Sequence, residues 1–159
     1  MKPGHTVLEL IIASALIAIV VAVIYLTYNV GIKIFSSEVL RSDILGEGTR
    51  ALERMGNELR GALKINSAGS QNLTFWYKDL NSNGSQEASE TITYSWSGTP
   101  QDSLLRTVVS QSETLSNNIQ SFSFTYDNPS DINLVTITLT VKKGEEEKML
   151  KSSIKLRNL

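Results

Sequence analysis

Gly4-His5-Thr6-Val7-Leu8-Glu9 opens a block that runs on from Leu10 to Ile32 without a charged residue. One carboxylate stands at the head of an apolar rod. Wound as an α-helix, that rod is roughly 35 Å long, enough to cross the hydrocarbon of a bilayer. A charge beside such a segment costs on the order of a few kcal/mol, so Glu9 needs a partner and a purpose.

Outside the block the composition changes. The chain has 159 residues, which suits one anchor and one small domain. Its later two thirds are rich in Ser, Thr and Asn, interleaved with Ile, Val, Phe and Tyr, a β-like alternation. A net charge of −1 offers no basic surface for nucleic acid and no acidic excess for disorder. Without cysteine there is no disulfide framework and no thiolate metal site.

From Ile32 onward apolar residues recur at helical spacing: Ile32, Phe35, Val39, Leu45, Leu52, Met55, Leu59 and Leu63. Charged residues from Glu38 to Arg60, among them Glu47, Arg54 and Glu58, fall on the opposite face and read as a solvated surface. No proline interrupts residues 5 to 99. The pattern predicts one helix from about Thr6 to about Lys64, with Gly46 and Gly48 marking its weak point or a close contact with a sheet. The sheet is predicted from strands at 73–78, 91–96, 104–109, 119–126, 134–141 and 149–156, with a charged hairpin tip around Gly144. The expected fold is α+β: a long N-terminal α-helix packed on a C-terminal antiparallel sheet. Residues 1–4 form a leader, 5–32 a transmembrane or filament-core helix, 33–65 its amphipathic continuation, and 66–159 the sheet domain.

An ordinary cleaved signal does not account for the N-terminus. Ala13-Ser14-Ala15 has the small residues of a cut site, but the apolar run continues well past it. A plain signal anchor explains the hydrophobicity and leaves Glu9 unexplained. The Gly-x-Thr-x-x-Glu arrangement ahead of the apolar block resembles the signal of type IV prepilins and type II secretion pseudopilins. That resemblance implies cleavage by prepilin peptidase between Gly4 and His5, with His5 as the new N-terminus and the site of N-methylation. Here His5 stands where the family usually has Phe. Glu9 becomes the fifth processed residue, and the resemblance implies that it pairs with a neighbouring subunit's terminal amine to set register in a filament. Strand order, Leu104-x-Arg106, the Phe-x-Phe strand at 122–124 and the terminal Arg157-Asn158 look like J-type minor pseudopilins and related minor pilins. The partners implied are major and other minor (pseudo)pilins, an inner-membrane assembly platform and membrane lipid. The location implied is a bacterial inner membrane, with the sheet domain periplasmic or extracellular.

Asp79, Asn81, Asn83, Gly84, Ser85 and Glu90 match the spacing of a calcium loop, Asp-x-Asn-x-Asn-Gly-x5-Glu. Side-chain oxygens at 79, 81, 83 and 90 and a backbone carbonyl near Ser85 suit a hard cation (Ca2+). The same cluster also serves as a plain hairpin loop, and its flanks are strands rather than the helices of an EF-hand. An enzyme is not expected: His5 is the sole histidine and cysteine is absent, so no Ser–His, Cys–His or His-ligated metal site can form in the sheet domain.

Overall fold

The structure, a computed structural model, describes residues 6–128 and 131–157. Its fold is α+β: one long N-terminal helix followed by a curled antiparallel sheet. By internal packing the chain falls into two units, Met1–Val39 and Leu40–Leu159.

In the first unit, helix α1 (Val7–Arg60) begins where the charge-free block predicts. Its side chains are exposed throughout this unit apart from half-buried Asn29 and Ser37. Ser14, Thr27 and Asn29 turn their polar groups onto the helix's own carbonyls, of Ile11, Val23 and Tyr25. That leaves fewer polar groups needing water along an apolar rod.

In the second unit the rest of α1 packs on the sheet. Its buried residues are Ile44, Gly48, Ala51, Leu52, Met55, Gly56 and Leu59. Leu45, expected inside, is exposed and Ile44 takes its place, a shift of one position around the helix. Gly48 is a contact residue: a Cβ there would overlap Leu150 Cδ1, so the missing side chain lets helix and sheet approach. The helix ends four residues sooner than expected. Gly61 and Ala62 N–H groups tighten the last turn onto Glu58 and Leu59 carbonyls, and the Leu63 N–H already donates to the Trp76 carbonyl (2.8 Å).

The sheet has seven strands in sequence order: β1 (Lys64–Ala68), β2 (Asn72–Trp76), β3 (Thr91–Ser95), β4 (Asp102–Val108), β5 (Gln111–Tyr126), β6 (Leu134–Lys143) and β7 (Glu146–Lys155). Alternation puts Leu73, Phe75, Ile92, Tyr94, Leu104, Phe122, Phe124, Val135, Ile137, Leu139 and Ile154 on the buried face against the helix. The first half of β5 pairs with β4 and the second half with β6. Along that second half, Ser70 C=O accepts from Phe124 N–H and Gly69 C=O accepts from Tyr126 OH, both at 2.7 Å, which curls the sheet.

The sequence pattern does not predict β1 or the first half of β5. The β4–β5 hairpin turns on Val109-Ser110, both at positive φ (47° and 66°), where an Asn-Gly pair is the usual chemistry. A β-branched residue in that region is strained. The double substitution Val109→Asn with Ser110→Gly is expected to raise unfolding free energy by about 1 kcal/mol. Urea denaturation of the full chain in detergent checks it.

Candidate functional site

Three places hold the functional candidates, and the first is the start of α1. The Thr6 carbonyl accepts the first intrahelical bond, from Leu10 N–H, which makes Thr6 the N-cap. The Glu9 N–H donates to Thr6 Oγ1 (3.4 Å), and the Thr6 N–H donates to Glu9 Oε2 (2.9 Å). This reciprocal pair is a capping box, in which each side chain satisfies one of the helix's orphan donors. Glu9 also complements the positive end of the helix dipole. Its cap role was legible as Thr-x-x-Glu, a signal sharing its residues with the cleavage motif. A carboxylate offers about four acceptor sites, so capping and pairing with an outside cation are compatible. Gly4, His5 and Asn158 lie outside the described residues.

The second place is the loop at 79–90. Asp79 Oδ1 and Oδ2 accept the N–H groups of Asn83 (3.1 Å) and Gly84 (2.7 Å), and Asn83 Oδ1 accepts that of Ser85 (2.7 Å). Asn81 and Asn83 both donate side-chain N–H to Glu87 Oε1 at 2.9 Å. Glu90 is only 2% exposed. Its Oε2 accepts from Trp76 Nε1 (3.0 Å) and Glu87 N–H (3.3 Å), and its Oε1 from Leu80 N–H (2.6 Å). Asp79, Asn81, Asn83 and Ser85 therefore share one turn, while Glu90 ties that loop to the indole of β2. Among the described residues no group of three or more His, Cys, Asp or Glu side chains is placed to hold a metal ion. Both carboxylates of the expected ligand set, Asp79 and Glu90, have each oxygen engaged by N–H donors of the loop or of Trp76.

Glu90→Ala is accordingly expected to cost about 2–4 kcal/mol, because it orphans buried donors, while Asp79→Ala costs about 1 kcal/mol. Melts of the full chain with EDTA or millimolar calcium check this. Equal melting with both additives supports a purely structural Glu90. Calcium stabilisation lost in both variants would make it a ligand.

The third place joins helix and sheet. Glu58 is 13% exposed and accepts from Arg106 Nε at 3.0 Å (Oε2) and 3.1 Å (Oε1), and from Tyr94 OH. Arg54, one turn earlier, lies 3.5 Å from Glu58 and binds Glu113 through two parallel bonds of 2.7 and 2.8 Å. Arg106 and Glu113 face each other across β4 and β5, and Tyr94 faces Arg106 across β3 and β4. Burial, reinforced by the Glu58 carboxylate, pushes the Tyr94 phenol far above its ordinary pKa. Hydrogen bonds from Arg54 hold Glu113 below the usual carboxylate range. Arg54, Glu58 and Arg106 thus belong to a built network, although the charge pattern of the helix places Arg54 and Glu58 on a solvated face. The arrangement clamps helix to sheet.

No protein-family model, no curated protein and no solved structure matches the chain.

Proposed function

We propose that the chain is a minor pilin-like subunit that works by assembly. It is anchored by residues 5–32 in a bacterial inner membrane, trimmed after Gly4 by a prepilin peptidase, and methylated at His5. It then helps to initiate or cap a type II secretion pseudopilus or a type IV pilus. One observation carries this reading: a single acid, Glu9, sits in the first turn of a helix whose apolar side chains lie exposed from Val7 to Val39. The helix is long and apolar enough to cross a membrane, and its most apolar window is 0% buried. Such a surface needs lipid or other apolar helices around it. A plain anchor needs the apolar residues and can use Thr6 and Glu9 as a helix cap; it has no use for a Gly set at a fixed distance before them.

The test is co-expression of the full chain with a prepilin peptidase, followed by intact mass and N-terminal peptide analysis. The expected product begins at His5 and carries a methyl group on its amine. Retention of Met1 to Gly4 would overturn the proposal in favour of an anchored ligand-binding module that never polymerises.

A further inference from the structure

The sheet has two edges, and they are built differently. β1 is five residues long and its pairing shifts between Ile65 and Ser67, two devices that blunt an edge. β7 is ten residues long and pairs with β6 at every position from Leu134↔Lys155 to Lys143↔Glu146, with no shift. The Leu156 N–H donates to the Asn133 carbonyl (2.9 Å), which fixes the ladder's phase. Even-numbered residues of β7 therefore address β6. The N–H and C=O groups of Glu147, Met149, Lys151, Ser153 and Lys155 point to the open side, where no further strand pairs among the described residues.

The surroundings of that edge select an occupant. Beyond Glu146 and Glu147 at its hairpin end, β7 carries Lys148, Lys151 and Lys155 and no further acidic residue. Beside the strand, Leu150, Lys151 and Ser152 share a groove of about 310 Å³ with Glu53, Asn57 and Arg60 of α1, so Lys151 and Arg60 outnumber its one acid. Met149 adds an apolar side chain that is 70% exposed. An unbroken ladder of outward backbone groups flanked by a helix is the geometry of strand addition, with main-chain bonds giving affinity and alternate side chains giving specificity. Lysine on an edge repels strands of like charge and accepts acidic ones.

We propose that β7 takes up an extended acidic segment of a partner protein as an eighth strand. The site is independent of whether Glu9 directs filament assembly. The experiment uses the full chain in zwitterionic nanodiscs and two ten-residue peptides, one alternating Glu with Val and Thr, the other with Lys in place of Glu. Hydrogen exchange should slow about tenfold at Met149, Lys151 and Ser153 with the acidic peptide, and the basic peptide should bind at least about tenfold more weakly. Lys151→Pro removes one outward N–H while keeping every bond to β6, and it should weaken the acidic peptide about tenfold with melting unchanged. Should that variant fail to fold, N-methylation of alternate peptide residues makes the same deletion from the partner's side. Equal binding of both peptides, no binding at about 1 mM, protection elsewhere in the sheet, or occupation of the edge by a second copy of the chain would each overturn the proposal.

Discussion

Glu9→Gln is expected to leave the chain in the membrane fraction with its helix intact, and to reduce its incorporation into filaments to background. The observed cap role of Glu9 and its proposed register role separate in this variant. Gln at the third helical position still reaches back to the Thr6 N–H, so the capping box survives. The apolar run that inserts the chain is untouched. What disappears is the negative charge, and with it the reason for a neighbouring subunit's amine to enter apolar surroundings. An ammonium taken out of water without a counterion costs at least several kcal/mol, enough to reduce an assembly equilibrium by orders of magnitude. Glu9→Ala removes charge and cap together, adding about 1 kcal/mol of helix destabilisation. Immunoblots of sheared filament and membrane fractions, from a host with a working assembly machine, give the answer. If Glu9→Gln assembles like the wild type while Glu9→Ala does not, Glu9 is a helix cap and the register mechanism fails.

The fold was legible where one apolar period persisted, and illegible where turns were chemically unmarked. An uncharged block and a helical stripe define α1 through Leu59, and period-two alternation defines β2, β3, β6 and most of β7. β1 was lost because Lys64-Ile-Asn-Ser-Ala68 has only two apolar residues and belongs to an edge, where one face suffices. The first half of β5 was lost because Val109-Ser110 carries no turn signature, so the chain looked like loop up to Ile119. The sites divide in the same way. Glu9 is local, since its meaning depends on residues three and five positions away. Glu90 shows the limit of spacing, which placed it among cation ligands but could not tell which donors its oxygens meet. The Glu58 network lay beyond reach: Tyr94 and Arg106 are 36 and 48 residues distant, and only the docking of helix on sheet brings them together.

Glu58→Leu is expected to cost about 3–5 kcal/mol of unfolding free energy, the largest loss for any single charged residue outside the membrane segment. Leucine fits the volume, but it leaves the Arg106 guanidinium, 18% exposed, without its carboxylate and strands the hydroxyl of fully buried Tyr94. Arg54→Ala, which breaks the solvent-facing half of the network, should cost no more than about 1 kcal/mol. Adding Arg106→Met to Glu58→Leu should recover about 1–3 kcal/mol, because the orphaned cation goes with its partner. The network also sets an alkaline limit. Tyr94 is raised by burial first and by Glu58 second, and burial alone pushes Tyr126 up to about 12. A folded-state pKa above the unfolded value of about 10 gives stability that is whole below pH 10 and drains away as pH climbs beyond it. Tyr94→Phe should therefore cost about 1 kcal/mol at neutral pH and flatten the decline above pH 10. Urea titrations of the full chain in detergent between pH 7 and about 11 measure both effects together. A Glu58→Leu loss under about 1 kcal/mol with an unchanged alkaline slope would mean that apolar packing alone fastens the helix to the sheet.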